Sequence, residues 1–153
     1  MTNGSLFRRG VAVAILLAAG FVWSSSLSAR AASTAAGEVK VTVKYTGKGE
    51  VDDSHRLWVW LFDTPNIAAG SIPIAETSID TNGGVAAFDS VGAPQVWIAV
   101  AYDVRGGFAG MAPPPSGSPA STYGTAPGGA PAPVTPGEKG AVTLAFDDTF
   151  KMP

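Results

Sequence analysis

The residues best suited to a chemical role in this chain are aromatic. Trp58, Trp60 and Phe62 alternate along one short segment. In an extended strand, alternate side chains share a face and lie about 7 Å apart. The three residues therefore form a stripe, and Trp97 can join it from a neighbouring strand. An open row of indoles stacks on sugar rings. A covered row is either inner-sheet core or the seat of a loop laid across it. Exposed apolar patches of this size rarely lack a purpose, so Trp58, Trp60, Phe62 and Trp97 are the candidate ligand-binding residues.

The acidic residues offer less. Asp103-Val104-Arg105-Gly106-Gly107 has the outline of a calcium loop, but Arg105 stands where a ligand belongs. Hard cations need several oxygen donors at close range. Asp103, Asp147 and Asp148 are an incomplete metal set, and no metal or other cofactor is expected. His55 is the one histidine and lies in a polar stretch. A triad needs a nucleophile, a base and an orienting acid in fixed geometry, and no nucleophile elbow accompanies His55. Asp52-Asp53 and Asp147-Asp148 are adjacent pairs. Neighbours along a strand point to opposite faces, so neither pair converges on one substrate atom. The inventory describes a protein that is not an enzyme.

The elements that must carry these residues are strands. From Glu38 to Tyr45, Val39, Val41, Val43 and Tyr45 share one face, and Lys40, Thr42 and Lys44 the other. That is a half-buried strand. Arg56–Phe62 is apolar on both faces, so both are expected to be covered. Ser71–Asp80 contains Pro73, which cannot donate to a ladder. This strand belongs at an edge or begins after the proline. Asn82-Gly83-Gly84 supplies the positive-φ residues of a hairpin turn. Val85–Val91, Gln95–Tyr102 and Ala141–Phe146 complete the set.

The expected fold is all-β: a single antiparallel Greek-key sandwich of six to seven strands. Between its last two strands runs an unusual connection. Ala112–Pro136 is 25 residues long and holds eight of the chain's twelve prolines. It has one aromatic residue, Tyr123, and no charge. Loops of that length are functional or disordered. Proline rings pack well on indoles, so this loop is expected to fold back over the face bearing Trp58 and Trp60.

The N-terminal residues 1–31 read as a signal peptide. Arg8 and Arg9 precede an apolar run, Val11 to Trp23, of 13 residues, and Ala29-Arg30-Ala31 offers small residues at a cleavage site. A membrane span needs roughly 20 apolar residues. Residues 32–37 are then a flexible leader, and residues 38–153 a β-sandwich domain with the Pro-rich loop at 112–136. Cleavage removes three arginines, so ten basic residues become seven against twelve acidic ones. An acidic surface repels phosphate backbones, so nucleic acid is not an expected partner. The chain has no cysteine, which leaves no attachment point for a lipoprotein anchor. No stable membrane span is expected after signal removal.

The middle of the chain resembles prealbumin-like sandwich domains, including carboxypeptidase regulatory-like domains of exported bacterial proteins. The matching residues are Ser78-Ile79-Asp80-Thr81-Asn82-Gly83-Gly84, Val85 to Phe88, Val91-Gly92-Ala93 and Trp97-Ile98-Ala99-Val100. Gln95 departs from the pattern, which prefers glycine there, and Val85 and Ala86 stand where phenylalanine is common. The resemblance implies a sandwich and a structural or adhesive role, and it carries over no catalytic residue. The expectation is an exported, periplasmic or extracellular, non-catalytic module of the cell envelope. Its partner is an envelope protein or, in the alternative of a carbohydrate-binding module, a polysaccharide.

Overall fold

The computed structural model describes residues 36–68, 70–110, 113–124, 129–138 and 141–153. The signal-peptide reading and most of the leader lie outside the described residues. Within them the chain is all-β, without helix, and forms seven strands: β1 (Gly37–Tyr45), β2 (Leu57–Phe62), β3 (Ala75–Ile79), β4 (Val85–Val91), β5 (Trp97–Tyr102), β6 (Ala120–Thr122) and β7 (Val142–Phe146). They make two sheets, ordered β4-β1-β7 and β3-β2-β5-β6.

The alternation in β1 sets the first sheet. Val39, Val41, Val43 and Tyr45 are buried, while Lys40 and Lys44 remain in solvent. Leu57, Val59 and Leu61 of β2 and Ile98, Val100 and Tyr102 of β5 face them from the second sheet, and all join one core. Leu57, Leu61 and Ile98 are wholly enclosed. Each such side chain contributes about 1.5–3 kcal/mol relative to an exposed one. β3 begins after Pro73 and lies at a sheet edge, as the missing amide hydrogen requires.

The pairing differs from the all-antiparallel expectation at one place: β7 runs parallel to β1, from Val41↔Val142 to Tyr45↔Phe146. Parallel neighbours need a crossover rather than a hairpin. Here the long connection after β5 carries the chain back to the first sheet.

That connection also departs from a plain loop. It contributes β6, which pairs antiparallel with β5 from Ala99↔Thr122 to Ala101↔Ala120. It also bridges Val134 to Val96. The Pro-rich segment thus extends the second sheet sideways through β6, while its Pro113 and Pro114 line one cleft with Trp60.

Two local devices hold the first sheet. The Asn82 side chain takes the place of a strand neighbour: its Nδ2 donates to the Tyr45 carbonyl at 2.6 Å, and its Oδ1 accepts from the Tyr45 amide at 2.9 Å. At the other end the β1–β4 register shifts between Gly37 and Val39. Ser90 sits in that shift with φ +60°, the geometry of a β-bulge.

Candidate functional site

The outer faces of the two sheets are unlike. On the first, the outward residues of β1 are polar or charged and meet water. On the second, directly paired residues share a face, so the register places Trp60 beside Glu76 and Ala99, and Trp58 beside Ser78 and Ala101. Phe62 is opposite Trp97. On β6, Ala120 lies opposite Ala101 and Thr122 opposite Ala99. Large rings on β2 therefore border a strip of alanines on β5 and β6, and the surface steps down into a groove.

One end of the stripe is covered. Trp58 and Trp60 stack on each other, with ring centroids 6.2 Å apart and planes 21° apart. Phe108 meets both edge-on, at 5.2 Å from Trp58 and 6.1 Å from Trp60. Gly110 lies so close to the Trp58 ring, at φ +84°, that a Cβ there would overlap the ring carbons. Trp60 is left 6% exposed. Its indole N–H donates to Glu76 Oε2 at 3.2 Å and approaches the Gly110 carbonyl at 3.5 Å. The Trp58 indole N–H is buried and has no acceptor among the described residues.

Asp103 explains why Phe108 and Gly110 are in place. Its carboxylate is buried and accepts three backbone N–H groups: Arg105 at 3.2 Å, Gly106 at 3.0 Å and Phe108 at 2.8 Å. A single buried side chain thus folds the 103–108 turn and aims Phe108 at the indoles. The aspartate singled out for metal binding spends its oxygens on the backbone.

Asp147 and Asp148 are used in a similar way. Asp147 accepts the Thr149 amide at 2.8 Å, and that residue holds its carboxyl below the usual range. Asp148 accepts the Tyr45 hydroxyl and the Lys48 amide, which lower it too. Among the described residues no three His, Asp or Glu side chains come together as a metal cluster. His55 bonds Asp52 at 3.2 Å in an exposed loop and faces Tyr102, ring to ring, at 6.4 Å. The amides of His55 and Ser54 hold the Asp52 carboxyl below its ordinary value.

Beyond the covered tryptophans the groove opens into a cleft of about 870 Å³. Trp60, Phe62, Ala99 and Ala120 lie along its floor. Three segments line its margins. The β2–β3 connection brings Ile67, Ile72 and Ile74; the stretch after the 103–108 turn brings Gly110, Pro113 and Pro114; the C-terminal residues bring Phe150 and Met152. The last of these is held by hydrogen bonds to the segment before β6: Gly117 N–H to the Met152 carbonyl and Met152 N–H to the Ser118 carbonyl, both 2.9 Å, and Ala120 N–H to the Phe150 carbonyl at 3.1 Å. A second strand edge is closed by that pairing.

The cleft also gathers exposed apolar side chains. Ile72 is 85% exposed, Phe150 59% and Ile74 44%, and all three line it. Sequence reading found Trp60 and Phe62 of the floor but none of these margins. They are single apolar residues in irregular segments, without the periodicity that marks a face. Trp97 and Trp58 of the candidate set are half-buried and stand outside the lining.

No family model, curated protein or solved structure matches this chain.

Proposed function

We propose that this is an exported, non-catalytic interaction domain that binds through the apolar cleft on the outer face of its second sheet. The observation that carries this reading is the convergence of Ile72, Ile74 and Phe150, all solvent-exposed, on a cleft floored by Trp60 and Phe62. Leaving three large apolar side chains in water around one concavity costs solubility and contributes nothing to the core. Binding sites have this composition: mostly apolar and aromatic walls with few polar groups.

The non-catalytic part of the reading is supported by how the carboxylates are used, since Asp103, Asp147 and Asp148 each satisfy backbone amides. A Greek-key sandwich of the prealbumin-like kind is the finer reading of the fold. The shared core of the two sheets and the repeated crossing between them support it. Export rests on the N-terminal sequence pattern and places the cleft in the cell envelope. Sugar stacking on the stripe gains less support, because the Trp58 and Trp60 rings face each other rather than solvent.

A neutral apolar fluorophore such as N-phenylnaphthylamine tests the cleft. Titrated into the protein, it is expected to brighten on binding. The double variant Ile74→Asn with Phe150→Asn is expected to abolish that response while keeping the β-sheet circular dichroism. No brightening with the natural sequence, or an unchanged response in the variant, refutes the reading.

A further inference from the structure

We propose that the cleft selects single-chain amphiphiles with a cationic head, taken up as monomers from solution, and that Glu76 is the residue that reads the charge. This rests on the reading of the cleft as the binding surface. Among the described residues that line it, Glu76 carries the one ionisable side chain. Every other lining side chain is apolar, a glycine or an uncharged hydroxyl.

The polar chemistry around Glu76 is one-sided. Its Oε2 accepts the Trp60 indole N–H at 3.2 Å. That bond ties the exposed Glu76 carboxylate, on the edge strand, to the Trp60 ring and occupies the nearest ring donor. The second carboxylate oxygen has no partner among the described residues. Lysine, arginine and histidine are missing from the described lining, and Lys151, between Phe150 and Met152, does not belong to it. An anionic head therefore meets a like charge and no neutralising cation, whereas a cationic head meets a positioned carboxylate. An unpaired charge of the wrong sign is an effective way to exclude a ligand.

Shape points to a small ligand. The volume of about 870 Å³ lies within the ordinary span for small-molecule sites, roughly 300–1,000 Å³. Phe108 and Gly110 cover the floor at the Trp58 end. Ile72 and Ile74 flank it on the β3 side, and Phe150 and Met152 beyond β6. A groove bordered on three sides suits an alkyl chain better than a through-running peptide. The alanines of β5 and β6 leave a trough for that chain beside the Trp60 and Phe62 rings.

The test uses the intact protein, with three probes of one chain length, each below its micelle concentration: decyltrimethylammonium, decyl maltoside and decanoate. Calorimetry or tryptophan emission reads the affinity. The expected order is cationic, then neutral, then anionic. Glu76→Gln is expected to weaken decyltrimethylammonium by about twofold to fivefold, the range for an exposed ion pair, and to leave decyl maltoside unchanged. Ile72→Asn, on a side chain too exposed to affect folding, is expected to weaken all three. Equal binding of the three probes, or an unchanged preference in Glu76→Gln, overturns the charge selection and leaves the cleft reading standing. Failure of all three probes to bind, or binding indifferent to Ile72→Asn, overturns both.

Discussion

Tyr45, at the end of β1, donates its phenolic hydrogen to the carboxylate of Asp148, just beyond β7. The bond joins residues 103 positions apart in sequence. The Tyr45 ring stacks on Tyr102 of the opposite sheet at 4.5 Å and touches Phe146 at 5.1 Å. One hydroxyl therefore ties the parallel strand pair together at the point where the two sheets meet.

That bond gives stability an acid-sensitive component. Asp148 is lowered chiefly by the Tyr45 hydroxyl and then by the Lys48 amide. A carboxylate with a depressed folded pKa contributes stability that is complete above its unfolded value, near 3.9, and is lost as pH falls through the folded value. Tyr45 itself is raised, first by burial and then by its bond to Asp148. Its contribution is complete below the ordinary tyrosine range and fades as pH rises through the folded value. Urea melts of the natural protein and Asp148→Asn are expected to differ at neutral pH and to converge on acidification. A difference that persists undiminished in acid contradicts this account.

Asp103 is expected to be the costliest polar residue to replace. Asp103→Ala orphans three backbone N–H groups and releases Phe108. A hydrogen bond to a charged group contributes about 1.5–3 kcal/mol net, and contributions within one cluster are not additive, so a loss of about 2–4 kcal/mol is expected in chemical denaturation. Tryptophan emission is expected to shift red as Phe108 leaves Trp58 and Trp60. Unchanged emission separates a merely structural aspartate from one that organises the indole cover.

Gly110→Ala combines a left-handed backbone angle with collision against the Trp58 ring. The expected loss is about 2–4 kcal/mol, from the strain of φ > 0 plus overpacking. Gly83→Ala is the control. It too has positive φ, +82°, but opens onto empty space. Its loss is expected to be confined to the backbone part, about 1–2 kcal/mol. Equal losses at the two sites rule out the packing contribution.

Ser90→Gly is expected to stabilise. Ser90 is exposed and holds φ +60° in the β4 bulge. Glycine relieves the strain of that region at some cost in chain entropy. A rise of about 0.5–1 kcal/mol is expected in thermal melts. Destabilisation assigns the serine hydroxyl a role in the bulge.

Much of the β-strand framework was readable because its signals are local. The valines of β1 alternate without interruption, Pro73 confines β3 to an edge, and Asn82-Gly83 marks the turn before β4. What escaped is long-range or aperiodic. β6 lies in a charge-free run of proline, alanine and serine, where nothing alternates. The pairing of β7 beside β1 joins the two ends of the strand order, and no local rule specifies it. The cover over Trp58 depends on Phe108, whose place is set by a buried carboxylate five residues earlier. At the site, the ring-bearing strand was legible and the cleft margins were not. Ile72, Ile74 and Phe150 acquire a common purpose only when two separate segments are brought to one side of the sheet.

The parallel pairing of β1 with β7 also has a mechanical meaning. In that pair the entry of β1, near Gly37, and the exit of β7, near Phe146, lie at opposite ends of the ladder. Tension applied through those two points loads the ladder in shear. Its bonds, from Val41↔Val142 to Tyr45↔Phe146, then share the force together rather than opening one after another. The Tyr45–Asp148 bond sits at the loaded end, where it acts as a clasp. Strand direction alone makes this ladder stiff to stretching between those two points, at the same place where acid loosens it.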